Sequence, residues 1–281
     1  MNWSDIIDFS DYDKLLPLVY NSLLAGALLA LIGGLVGVFV MNRELSFAVH
    51  GIAELSFAGA AVFLLIGLDV VLGSVFGSLI AAAIIAVLGD RAKDRNSIVA
   101  VLMPFGLGIG ILALSLYPGR AANKFGLLTG QIVAVDDPKL ASMTVMTLVV
   151  LIAMVVMWRP LSFASLDPEV AAARGVSVKW LGIVFVIVLG IAVAAAVQVV
   201  GALLVLALLV TPAAAALRLS SSQVWVPVLS VLFALVSMIG GILLALGGSL
   251  PISPFVTTIS FLIYLIARIV AFAKKKAEVT R

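Results

Sequence analysis

Apolar runs about as long as a bilayer core is thick recur from one end of this chain to the other, with only brief polar connections between them. A transmembrane helix needs roughly 20 predominantly apolar residues. Candidate spans fall at 15–41, 45–67, 70–89, 98–117, 140–158, 180–198, 200–218, 225–246 and 255–272. Of the 281 residues, 64% are hydrophobic and 11% charged, whereas a soluble domain carries about 25% charged residues. So much apolar surface has no soluble core to enter, so its solvent is lipid. The expected fold is all-α, a polytopic membrane protein with eight or nine transmembrane helices, forming a single membrane domain over residues 1–281.

The count depends on the sixth and seventh runs, which join with Gln198 and Gly201 at the expected turn. They form either two spans or one span and a re-entrant piece. The segment 118–139 is only partly apolar and is broken by Pro118, Gly119 and Pro138, which suits a loop with a short helix. The N-terminal region carries Asp5, Asp8, Asp11 and Asp13, opposite in charge to a secretory signal.

Lysine and arginine accumulate in cytoplasmic connections. With the N-terminus outside and nine crossings, all of the 17 basic residues but Lys14, Arg120, Lys124 and Lys139 fall on the inside. This arrangement puts the C-terminus in the cytoplasm. It also accounts for the net charge of +3 by topology, without nucleic-acid binding. The glycine pairs Gly33/Gly37 and Gly73/Gly77, and the set Gly106, Gly108 and Gly110, suit close helix packing. No internal repeat of the kind that builds many secondary transporters is visible.

Absences narrow the chemistry. There are no cysteines and one histidine, His50, which excludes disulfides, thiolate metal sites and thiol nucleophiles. There is no HExxH and no phosphate-binding loop of the Gly-x-x-x-x-Gly-Lys-Ser/Thr kind. The chain is therefore expected to be no enzyme and to bind no permanent cofactor. If ATP drives it, another chain must hydrolyse the ATP.

One pair of ionisable residues remains inside the spans: His50 and Glu54. Their spacing of four places both on one helix face. Ionisable groups in a membrane are costly and usually face an interior pathway or a partner. Imidazole and carboxylate suit manganese, iron or zinc. Two ligands fall short of the four that zinc usually takes, and a two-fold dimer would supply the others. The pair is equally readable as a hydrogen bond that fixes helix packing, or as the proton site of an ion- or proton-coupled secondary carrier.

The stretch Leu166 to Val176 holds a second signal. Asp167 suits a helix N-cap, Pro168 the first helical position, Glu169 the positive end of the helix dipole and Gly175 the stop. A short helix in a cytoplasmic loop follows, serving either local order or docking into a partner.

Four stretches make the chain resemble the bacterial ABC permeases that import manganese, zinc or iron. They are Ser46 to Gly59; Phe125-Gly126-Leu127-Leu128 with Ala134-Val135; Asp167 to Val176; and Val200-Gly201-Ala202-Leu203-Leu204 through Thr211-Pro212-Ala213-Ala214. The third and fourth are the specific ones. The resemblance implies a homodimeric permease in the bacterial inner membrane that moves a divalent metal ion by alternating access. It also implies cytoplasmic ABC ATPase subunits that use the ATP, and an extracytoplasmic metal-binding protein or lipoprotein. Residues of about 166–176 are then the coupling helix, with Asp167, Glu169, Arg174 and Gly175 as its contacts to the ATPase, and His50 and Glu54 the metal ligands. Where that family has Asp and then His four residues apart, this chain has His50 and then Glu54. Where it has Pro, this chain has Ala58.

Overall fold

The computed structural model describes residues 12–89, 92–119, 135–246 and 252–279. All the regular elements among the described residues are helices. They are α1 (Tyr12–Leu15), α2 (Tyr20–Asn42), α3 (Ser46–Leu65), α4 (Val70–Leu88), α5 (Ala92–Leu116), α6 (Asp137–Leu166), α7 (Pro168–Ala173) and α8 (Val178–Val200), then α9 (Val205–Leu209), α10 (Thr211–Leu219), α11 (Trp225–Leu246) and α12 (Ile252–Val279). Among the described residues, eight helical stretches are long and apolar enough to cross a membrane. The second resemblance stretch lies outside the described residues except for Val135, as do Asp5, Asp8, Asp11, Arg91, Arg120 and Lys124.

The run at 200–218 resolves the question of the joined spans. Helix α8 stops at Gly201, whose φ of +77° favours glycine. The chain then passes through a 3-10 turn at Ala202–Leu204 into α9 and α10. Pro212 sits in the first turn of α10 and cannot donate a backbone hydrogen bond to extend α9 through it. The stretch Val205–Leu219 is thus a broken apolar segment, shorter than the eight candidate spans. Helix α6 runs longer than its apolar core suggested, from Asp137 to Leu166.

The chain divides into two compact units. The first is built on α2 and α10 to α12. There, a Cβ on Gly33 would lie 3.2 Å from the Leu208 side chain. One on Gly37 would overlap the Leu209 carbonyl oxygen, and the Ala213 side chain lies beside it. Increasing numbers on one partner meet increasing numbers on the other, so the broken segment runs parallel to α2. Helix α11 runs the other way, with Gly26 against Ile242 and Met238, and Gly34 against Val231. Ser230 Oγ donates to the Gly34 carbonyl at 2.7 Å, and Ser260 Oγ donates to the Ala207 carbonyl at 3.0 Å. The second bond satisfies a carbonyl near the helix break, where lipid offers no replacement partner.

The second unit holds α3 to α8, apart from the first residues of α6. Helix α3 packs against α4, α5 and α8. Small residues make this possible: a Cβ on Gly77 would overlap the Leu55 carbonyl, and one on Gly59 would overlap that of Gly73. Along α4, Gly73, Ser74, Gly77, Ser78, Ala81 and Ala82 are buried, while Leu72, Phe76 and Ile80 are exposed. Small residues inside and large apolar ones outside is the arrangement expected where lipid is the solvent.

Candidate metal pathway and coupling helix

Helix α3 begins at Ser46 and is one of the more deeply buried long helices. At a rise of about 1.5 Å per residue, Glu54 lies about 12 Å along it and His50 one turn nearer its start. His50 Nε2 is 3.9 Å from Glu54 Oε1. The Glu54 side chain is 5% exposed and that of His50 25% exposed. Among the described residues, Glu54 is the only buried acidic side chain.

The pair leaves hydrogen-bonding capacity unused. Glu54 Oε2 and His50 Nδ1 are both buried without a partner. Buried polar atoms are nearly always satisfied, and the exceptions concentrate where an ion or a water binds. A carboxylate oxygen and a neutral imidazole nitrogen are both lone-pair donors to a cation. Ser56 turns to the opposite side of α3, its Oγ 2.7 Å from Ser74 Oγ and bonded to the Ser74 carbonyl at 3.0 Å. Among the described residues, no group of three or more His, Cys, Asp or Glu side chains converges as a ready metal cage.

Gln198 is a residue the sequence indicated only as a turn. It lies on α8, which packs against α3, three residues before the break at Gly201. It is 8% exposed, and neither its amide oxygen nor its amide nitrogen has a partner. Its polarity within an apolar stretch was the available signal.

The Leu166 to Val176 stretch folds as its residues predict. Asp167 adopts an extended conformation and its Oδ1 accepts the Val170 backbone N–H at 2.9 Å. Pro168 occupies the first turn of α7. At the other end, Gly175 N–H donates to the Ala172 carbonyl and Val176 N–H to the Ala171 carbonyl, both at 3.0 Å. Gly175 has a φ of +86°. These bonds form a Schellman stop. Ala171 is fully buried, whereas Glu169, Val170 and Arg174 are exposed. A two-ended cap therefore holds a six-residue helix with its charged and apolar side chains projecting away from the unit that bears it.

The connections beside this helix are also basic. The Arg43 guanidinium donates to Ser165 Oγ at 3.5 Å. Arg95 donates to the backbone carbonyls of Arg43 at 3.2 Å and Glu44 at 3.4 Å. Glu44 has a φ of +55°, an uncommon conformation for a residue with a side chain. The Arg95 clamp thus braces a tight α2–α3 turn.

Known proteins resemble this chain along most of its length. Residues 16–271 match the ABC 3 transport family. The manganese transport system membrane protein MntC of Halalkalibacterium halodurans is 27% identical over 234 residues, covering 82% of this chain and 80% of that protein. The high-affinity zinc uptake system membrane protein ZnuB of Haemophilus influenzae is 23% identical over 229 residues, covering 81% and 88%. Among solved structures, PsaBC from Streptococcus pneumoniae in complex with Fab superposes with a TM-score of 0.81 at 22% identity, covering 91% of this chain and 95% of that one.

Proposed function

The chain belongs to the ABC 3 transport family, and from that premise we propose that it is the membrane permease of an ATP-driven importer for manganese or zinc. The observation that carries the reading is the family match across nearly all of the membrane-embedded chain. Relatives named for manganese and zinc transport support the cargo. Iron rests on ligand chemistry and the sequence resemblance alone.

On this reading transport takes a short sequence of steps. A metal delivered to the outer face enters a path where His50 and Glu54 supply one nitrogen and one oxygen lone pair. Two such pairs, one from each protomer of a homodimer, complete a four-ligand site. Few ligands make a labile site, as transport needs. ATP binding by separate ABC ATPase subunits shifts α7, with Glu169 and Arg174 transmitting the movement, and Asp167 and Gly175 holding the helix rigid enough to do so. An extracytoplasmic binding protein or lipoprotein delivers the ion. An outside N-terminus and a cytoplasmic C-terminus require the broken Val205–Leu219 segment to cross in addition to the eight candidate spans, and its parallel course to α2 supports that crossing. We assign both compact units to this one permease domain in the bacterial plasma membrane.

The test is flux into liposomes carrying the permease with or without its cognate ATPase. Metal accumulation that requires both ATP and the ATPase supports the importer. Flux by the permease alone, driven by a proton or ion gradient, replaces it with a secondary carrier in which Glu54 binds the proton.

A further inference from the structure

A cavity of about 450 Å³ opens in the α3 to α8 unit, away from the His50–Glu54 pair. It is lined by Arg43 and Leu45 of the α2–α3 turn, Ile85 and Gly89 at the end of α4, Arg95 of α5, and the first turns of α8, including Lys179 and Gly182. Three cationic side chains therefore contribute to one cavity, and none of its described lining residues is acidic. Glu44 is the carboxylate whose charge acts on Arg95.

The cluster is built into the fold. Arg43 is anchored to Ser165, and Arg95 to the two turn carbonyls. The Arg95 Nε is buried without a partner. Burial holds the Arg43 guanidinium below the ordinary arginine range, and the like charge of Arg95 pushes it further the same way. Gly182 leaves room for the guanidinium, since a Cβ there would lie 3.3 Å from Arg43 Nη2. Like charges gathered in a half-buried cavity are stabilised by an anion.

We propose that this cavity is a phosphate-binding site whose ligand is the headgroup of an anionic phospholipid. Its position selects that source. Arg43 directly follows the last residue of a candidate span, and Arg95 and Lys179 lie at the starts of two more, which is headgroup depth. Apolar Ile85, Ile183 and Val186 continue the wall below the charges. Val87, Leu88, Trp180, Val184 and Ile187 stand exposed around it, a surface for acyl chains. Basic pockets between transmembrane helices bind anionic headgroups in this way. A free phosphate would use the same donors, without the apolar wall. The ligand would tie the α2–α3 turn, the end of α4 and the start of α8 together immediately beside α7.

The experiment uses the full chain in nanodiscs of equal parts phosphatidylglycerol and phosphatidylcholine, then native mass spectrometry of the released protein. Preferential retention of phosphatidylglycerol is expected, falling about five-fold for each charge removed in Arg43→Gln and Lys179→Gln. Gly182→Leu fills the cavity without changing charge and should also abolish retention. In wild type, a thermal shift with phosphatidylglycerol but not phosphatidylcholine gives a readout free of variants. Displacement of the lipid by millimolar inorganic phosphate would support the same phosphate chemistry with a free anion as a second source. Equal retention of both lipids, with no stabilisation by inorganic phosphate, overturns the proposal. So does loss of ATPase binding in the variants with lipid retention unchanged, which would assign the cations to the ATPase.

Discussion

Glu54 presents one carboxylate oxygen to the His50 imidazole at 3.9 Å and keeps its other oxygen buried without a partner. A pair that existed only to fix packing would close this separation to hydrogen-bond distance and satisfy the second oxygen. The geometry suits a site whose third component arrives and leaves. Because protons compete with a metal for these lone pairs, uptake should fall as the external and internal pH are lowered together, and raising the metal concentration should restore it. Uptake measured as a metal titration at several pH values checks this. A loss on acidification that excess metal does not recover would point elsewhere.

Gln198 offers a separable test. Its amide has no hydrogen-bond partner in a buried position, and burying such a group costs about 1–3 kcal/mol. Gln198→Leu should therefore keep or raise thermal stability. If the amide meets the cargo on its path, the same variant should lower uptake. A drop in melting temperature would show that the amide is satisfied in the assembled protein.

Helix α7 should be sensitive at its ends. Asp167→Ala removes the bond to the Val170 N–H, a cap worth about 1 kcal/mol. Gly175 has open space around it but a positive φ, so Gly175→Val is costly through backbone conformation while Gly175→Asn is tolerated better. Both damaging changes should weaken ATPase co-purification several-fold and leave the membrane bundle folded by circular dichroism. Unaltered co-purification would remove α7 from the coupling path.

The glycines of α5 make an internal control. A Cβ on Gly106 would lie 2.7 Å from the Leu55 side chain and 3.0 Å from the Glu54 carbonyl carbon, whereas one on Gly108 would meet nothing within 4 Å. Gly108→Ala should be neutral or stabilising by up to about 1 kcal/mol. Gly106→Ala should destabilise and disturb transport, because it presses on the backbone that carries Glu54. Melting temperatures of the two variants decide the matter.

Much of this was legible because membrane helices announce themselves by length and hydropathy. The caps of α7 were readable as well, since Asp167, Pro168 and Gly175 each act through their own backbone. His50 and Glu54 stood out as ionisable residues in an apolar stretch. The break after α8 was half visible: Gly201 was in view as a turn, but whether Val205–Leu219 forms a full span depends on how it packs beside Gly33 and Gly37. Gln198 reads as a turn residue, because an amide near a glycine suits a loop, and only its packing shows it buried. The cation cavity was not legible at all. Arg43, Arg95 and Lys179 lie on different connections, each explained singly by topology, and only folding brings them together.

The central claim is that His50 and Glu54 form the transient metal site of an ATP-driven importer. The most direct measurement is ATP-dependent manganese and zinc uptake by the reconstituted permease–ATPase complex, comparing wild type with His50→Ala and Glu54→Gln. Each variant should lose most of the uptake while still assembling with the ATPase and hydrolysing ATP. Uptake at the wild-type level in both variants would contradict it and leave the pair a feature of helix packing.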